Sequence, residues 1–164
     1  MALIDTVAAG RYSATYNSVD VGITQTGYEI SLESKWQEIT PTDAFGDTII
    51  DGVFRGGNCY CQFEGMAYKA GAITPFWPWG ALGILATTAA PIGRLASDVA
   101  LAFVMTDTDA TPAATIPATL TASKAILAPN NPAKLLFDSR LRTVPIRLQF
   151  LPYLSTDHKF FSTT

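Results

Sequence analysis

The feature that most constrains this chain is segment 27–39, "GYEISLESKWQEI", in which apolar and polar side chains alternate. On an extended strand one face would carry the apolar residues Tyr28, Ile30, Leu32 and Trp36. The other face would carry the polar residues Glu29, Ser31, Glu33, Lys35 and Gln37. A period of two is typical of β structure, so the segment predicts a strand of about eleven residues with one buried and one solvent-facing side.

Further segments predict strands in the same way. "NCYCQFEGMA" places Cys59, Cys61 and Phe63 opposite Tyr60, Gln62 and Glu64. In "RTVPIRLQFLPY" an apolar set from Val144 to Phe150 alternates with a polar set that includes Arg147. "RYSATYN" and "VDVGITQTG" predict shorter strands and a turn, "ATLTASKAIL" predicts another strand, and "DVALAFVMT" predicts a strand buried on both faces.

These segments predict a mostly β fold, a sandwich or barrel of about six to eight strands in one domain spanning residues 1–164. We expect one short helix over 67–74, ended by Pro75 and Pro78. A long inter-strand loop is predicted at about 41–57, "PTDAFGDTIIDGVFRGG". This loop is too long for a tight turn, and its apolar side chains are unusual for an exposed loop.

The chain is poor in charge, and this bears on its partners. Charged residues make up 15% of the sequence, against about 25% in an average soluble domain, which indicates that partners cover part of the surface. The net charge is -3 and no basic run occurs, so we expect no tight binding to duplex DNA. The amino-terminal residues lack the pattern of a signal peptide, so we expect the chain to remain in the cytoplasm where it is made, without membrane insertion.

Catalytic and metal-binding residues are sparse. The single histidine, His158, would have to serve any Ser-His-Asp arrangement, and a solvated histidine is the simpler interpretation. Cys59 and Cys61 are interpreted as small buried side chains, and Asp107 and Asp109 as part of a polar loop. "FRGGN" lacks phosphate-loop spacing and indicates a hairpin or bulge, while "FWPWG" indicates an aromatic cluster that closes the core. We therefore expect no enzymatic activity, no cofactor and no metal.

Several segments, in their order along nearly the whole chain, resemble the tail tube proteins of long-tailed bacteriophages. "RYSATYNSVDVGITQTGYEIS" resembles the opening strands of that family, and "QEITPTDAFGDTIIDGVFRGGNCYCQF" resembles its unit of strand, long loop and strand. Three later segments resemble the second half of the proteins in that family: "FWPWG", "DVALAFVMTDTDATPAATIPATLTASKAIL" and "VPIRLQFLPYLSTDHKFFSTT".

The resemblance implies a structural virion protein that is assembled in the host cytoplasm. Such subunits form hexameric rings that stack into a hollow tube. The sheets of the subunits join into one continuous multi-subunit β-barrel, and DNA leaves the capsid through the tube. The implied partners are further copies of the chain, the tape measure, terminator and tail tip proteins, and DNA in transient, non-specific passage. A tail terminator or head–tail connector ring remains an alternative, and a soluble enzyme or ligand-binding β domain is another.

Two sets of site residues follow for a tube subunit. The long loop would reach an adjacent ring and bury side chains there; this predicted inter-ring interface consists of Asp43, Phe45, Ile49, Ile50 and Phe54. A loop that folds over its own domain is the alternative. The polar strand faces would line the channel with Glu29, Glu33, Gln37, Gln62 and Glu64. Carboxylates on the channel wall would keep phosphates from adhering, and Lys35 on the same face weakens that effect.

Overall fold

In a computed structural model the described residues are 11–40, 47–67, 76, 95–108, 118–129, 143–152 and 158–164. They form nine strands and one helix: β1 (Tyr12–Tyr16), β2 (Val19–Asp20), β3 (Ile23–Thr24), β4 (Glu29–Ile39), β5 (Asp51–Ala67), α1 (Ala96–Val99), β6 (Leu101–Asp107), β7 (Thr119–Leu127), β8 (Val144–Phe150) and β9 (Ser162–Thr163). The fold is mostly β, as predicted, and β4 has the predicted length of eleven residues.

All strand pairs in the described part of the chain are antiparallel and belong to one sheet. Its order is β2-β1-β6-β7-β8-β5-β3, with β4 also paired to β5 and β9 also paired to β7. The path of described strands does not close on itself. Most of these neighbours are distant in sequence, so the sheet depends on tertiary packing more than on local turns.

The sheet curls so that side chains of β5 and β6, which are not neighbours in the sheet, pack against each other. Phe63 on β5 stacks on Phe103 of β6 with a centroid distance of 6.4 Å, although β8 and β7 lie between these strands in the sheet. Phe76 stacks on Tyr16 at 5.1 Å and also contacts Phe63. These rings form the centre of a core in which Cys59 and Cys61 are fully buried, and the predicted inward face of β8 is buried as well.

The structure corrects the expectations for two strands. β6 begins at Leu101, after a helical turn at Ala96–Val99, and is buried on one face only, because Ala102 and Thr106 point to solvent. β5 begins at Asp51, so residues 51–57 of the predicted loop belong to a strand. Of the predicted helix at 67–74, residue 67 ends β5 and the remainder lies outside the described residues.

A further correction concerns the apolar face of β4. Ile30 packs against the core, but Leu32 and Trp36, which the alternation predicted to be buried, are 66% and 56% exposed. The reason is the extent of the neighbouring strand: β8 pairs with β5 only from Cys59 onward. The ladder of β4 and β5 therefore continues beyond the edge of the core, with no further layer of described residues beneath it.

Candidate assembly surface

The segment that extends beyond the core is a β-hairpin, here called the projecting hairpin, made of residues 32–39 and 47–57. Its ladder runs to the pair Ile39 and Asp51, and the amide of Ile50 donates a hydrogen bond to the carbonyl of Ile39 at 3.0 Å. Trp36 lies directly opposite Phe54. A bulge interrupts the ladder next to Trp36, where Gly56 has a φ of 119° that a side chain would disfavour.

Most of the exposed large hydrophobic side chains of the described residues lie on this hairpin. Nine such side chains are exposed, and only Ile23 and Leu95 lie elsewhere. The seven on the projecting hairpin are Leu32, Trp36, Ile39, Ile49, Ile50, Val53 and Phe54. Phe54 is the most exposed at 70%. A clustered set of this kind is typical of a protein–protein interaction site, whereas single exposed hydrophobic residues need no explanation.

The projecting hairpin also carries a long open strand edge. β4 pairs with β5 along one side, and no other described strand pairs with it along the opposite side. An edge of eleven residues offers backbone donors and acceptors to another chain, and monomeric proteins usually cover or shorten such an edge. Apolar side chains and an open edge therefore occur on the same element.

Three of the five predicted interface residues can be placed. Ile49 and Ile50 lie in the connection between β4 and β5, and Phe54 lies in β5 itself; all three are exposed. Asp43 and Phe45 lie outside the described residues. Leu32 and Trp36 lie on the same face of the hairpin as Phe54, whereas Val53 pairs with Gln37 on the opposite face. All three are exposed, and the sequence pattern did not assign them to an interface. Their apolar character was visible, but it was interpreted as core packing or loop structure.

The five predicted channel residues lie on one face of the sheet, opposite the buried side chains of β5. Glu29 and Gln62 face each other across β4 and β5, and the Gln62 side-chain amide donates to a Glu29 carboxylate oxygen at 2.6 Å. Gln37 accepts a hydrogen bond from Arg55 at 3.1 Å. Glu64 is half-buried opposite Pro145 of β8. The shared face matches the alternation; whether it lines a channel is a question about the assembly.

An arginine lies among these carboxylates. Arg147 of β8 donates from Nη2 to Glu33 Oε1 at 3.1 Å, and its guanidinium carbon lies 4.0 Å from the centre of the Tyr60 ring. The sequence placed Arg147 on the polar side of β8 but could not pair it with Glu33, which is 114 residues away along the chain. A cleft of about 450 Å³ adjoins this arginine and is lined in part by Glu29, Gln62 and Glu64.

The two thiols have the properties expected of core side chains. Cys59 and Cys61 are free and fully buried, which confirms their interpretation as small buried residues. Burial raises the pKa of the Cys59 thiol to about 11, and it raises the pKa of Cys61 further above the ordinary range. Neither forms a reactive thiolate at neutral pH.

The remaining candidates are the single histidine, the possible metal ligands and the aromatic segment "FWPWG". His158 is exposed. Asp107 was predicted to lie in a polar loop but is the last residue of β6 and pairs with Tyr12, and Asp109 lies outside the described residues. Among the residues whose positions are described, no three His, Cys, Asp or Glu side chains come together as metal ligands. No helix in the described ranges is long and apolar enough to cross a membrane. Phe76 is buried in the aromatic core, as predicted for "FWPWG", whose other residues lie outside the described ranges.

Comparison with known proteins adds no family assignment: no protein-family model matches this chain, and neither does any curated protein. The candidate surface is therefore defined by its own geometry. It combines an apolar hairpin, an open strand edge and an adjoining polar face on the two longest strands of the described chain.

Proposed function

We propose that this chain is the structural subunit of a bacteriophage tail tube, which self-assembles into stacked hexameric rings around a channel for DNA. The observation that carries the proposal is the projecting hairpin, where seven of the nine exposed large hydrophobic side chains of the described residues lie. Burying apolar side chains of this size is favourable by about 1.5–3 kcal/mol each, so contact with another copy would stabilise an assembly.

The open edge of β4 supports pairing between the sheets of adjacent subunits within a ring. In the proposed ring the sheets of adjacent subunits continue into one another as a multi-subunit β-barrel, which leaves few unpaired edges. The face that carries Glu29, Glu33, Gln37, Gln62 and Glu64 then turns towards the channel. The hairpin, with Ile49, Ile50 and Phe54, contacts the adjacent ring. The ordered series of tail-tube-like segments in the sequence is the second support.

The proposed role is mechanical and requires no catalysis or cofactor. The subunit belongs to the virion and is assembled in the host cytoplasm. Besides other copies of itself, the tube contacts the tape measure, terminator and tail tip proteins. DNA passes through without lasting contacts. The affinity of a protein for DNA grows with the number of phosphates that its lysine and arginine side chains neutralise. Three of the five residues assigned to the proposed channel face are carboxylates, which cannot neutralise phosphates.

Size-exclusion chromatography with light scattering, followed by electron microscopy, tests the proposal directly. Purified protein is expected to form long hollow tubes with sixfold rings. Single closed rings that do not stack would instead indicate a terminator or connector. A compact monomer at high protein concentration would refute assembly and leave a soluble β domain as the better description.

A further inference from the structure

Arg147 is held by two neighbours from two other strands. It stands on β8 directly opposite Gln62, and its side chain crosses β5 diagonally. The guanidinium lies over the Tyr60 ring at 4.0 Å, and Nη2 donates to Glu33 of β4 at 3.1 Å. The ring restricts the guanidinium from one side, while the carboxylate occupies part of its hydrogen-bonding edge.

Without the carboxylate this arginine would be well suited to bind phosphate. Guanidinium groups bind carboxylates and phosphates through the same donors, so the two anions compete for one position. The pair is accessible to a competitor, because the side chains of Arg147 and Glu33 are 38% and 50% exposed. Stacking on Tyr60 reduces the side-chain freedom that phosphate binding would otherwise have to restrict.

Glu29 provides an internal contrast. It lies on the same face and has the same formal charge, but its hydrogen-bond partner is the neutral amide of Gln62. Loss of the Glu29 carboxylate would change the net charge without releasing a cation. Loss of the Glu33 carboxylate would change the net charge equally and also release Arg147.

We infer that Glu33 masks Arg147 from nucleic-acid phosphates. Because the guanidinium is paired with this carboxylate, duplex DNA can move past the sheet face without binding to Arg147. The inference rests on the proposed function, in which duplex DNA moves past this face. It assigns different roles to two glutamates: Glu29 contributes repulsion, whereas Glu33 mainly neutralises one arginine. Lys35 and Arg55 lie farther along, on the projecting hairpin, and contribute equally to the wild type and every variant below.

The experiment compares Glu33→Gln with Glu29→Gln as a matched control. Binding of a fluorescent duplex of about 30 base pairs is followed by anisotropy at about 50 mM salt and above. We expect E33Q to bind about fivefold or more tightly than E29Q, with a logarithmic salt slope steeper by about one for each arginine released. The double variant Glu33→Gln/Arg147→Gln, which has the net charge of the wild type, is expected to return to the affinity of the wild type.

Arg147→Gln alone is expected to bind no more tightly than the wild type, because the arginine is already masked and its loss leaves the Glu33 carboxylate unpaired; circular dichroism checks that each variant is folded. Affinities of E33Q and E29Q within twofold of each other, including no binding by either, would overturn the inference. So would an E33Q/R147Q variant that stays as tight as E33Q, or a gain of affinity in R147Q alone.

Electron microscopy of the same preparations separates this inference from the proposed function. Tubes together with equal affinities of E33Q and E29Q would refute the masking pair and leave the tube standing. A selective gain in E33Q without tubes or rings would refute the proposed assembly and leave the masking of Arg147 standing.

Discussion

At the scale of single residues, the projecting hairpin depends on the contact between Trp36 and Gly52. The Trp36 ring covers the glycine so closely that a β-carbon built on Gly52 would lie 1.9 Å from Cε3 of the indole. Gly52 thus provides the space that lets a large aromatic side chain lie flat on the partner strand. A glycine that resembled a loop residue in the sequence is therefore a packing requirement within a strand.

Replacing Gly52 with alanine is expected to displace the Trp36 ring and loosen the hairpin, at a local cost of about 1–3 kcal/mol. Hydrogen exchange of the amides in 36–39 and 51–54 should accelerate, while exchange in the core strands stays unchanged. In a Trp36→Ala background the same substitution should have little effect, because the obstructing ring is gone. Equal acceleration in both backgrounds would show that the ring contact is not the cause.

At the scale of elements, the projecting hairpin and the sheet beneath it have different tasks. The part of β5 from Cys59 to Gln62 is paired with both β4 and β8 and contributes to the core, whereas residues 51–57 are paired only with β4 in the described structure. Exposed side chains on the second part add little to the stability of the single chain. They are available for contact with another copy, and the two tasks are separable by mutation.

Phe54→Ser is expected to abolish or greatly reduce assembly while changing the free energy of unfolding of the single chain by no more than about 0.5 kcal/mol. Ile23→Ser is the matched control, because Ile23 is 66% exposed but lies on β3, away from the hairpin. Sedimentation and electron microscopy measure assembly, and urea denaturation at low protein concentration measures stability. Tubes from F54S, or equal loss of assembly in I23S, would remove Phe54 from the interface.

Alternation in the sequence was sufficient to predict some elements and insufficient for others. It gave the bounds of β4 and the buried face of β8, because an antiparallel strand with one buried face imposes a period of two. It predicted burial of Leu32 and Trp36 wrongly, since local pattern does not report where a neighbouring strand ends. Glu33 on β4 and Arg147 on β8 are separated by β5, so only the folded sheet of the single chain brings those residues together.

At the scale of the whole molecule, the curled sheet encloses ionisable side chains in their neutral form. Burial raises the pKa of Tyr28 to about 12 and that of Cys59 to about 11, and it moves Tyr16 and Cys61 further upward. In the unfolded chain the thiols ionise near pH 9.0 and the phenols near pH 10.0. Above pH 9 the unfolded state therefore binds fewer protons than the folded state.

The free energy of unfolding is consequently expected to fall as the pH rises from 9 towards 11, by up to about 1.4 kcal/mol per pH unit for each such group. Below about pH 8 these groups are essentially neutral in both states and add little pH dependence. Urea denaturation at successive pH values measures the slope. Between pH 9 and 10 the double variant Cys59→Ala/Cys61→Ala should show a shallower fall than the wild type, and equal slopes would contradict the assignment to the thiols.

The pairing of β1 with β6 has a consequence for how the chain folds during synthesis. Tyr12 pairs with Asp107, so the first described strand leaves the ribosome 107 − 12 = 95 residues before the end of its partner. At about 5–20 residues per second, β1 waits roughly 5 to 19 seconds for β6. In the later part of that interval, once Ala67 has emerged, the hairpin of β4 and β5 can form, and its apolar surface is then exposed to other nascent chains. The element proposed to join finished subunits is thus also one that chaperones would have to shield during translation.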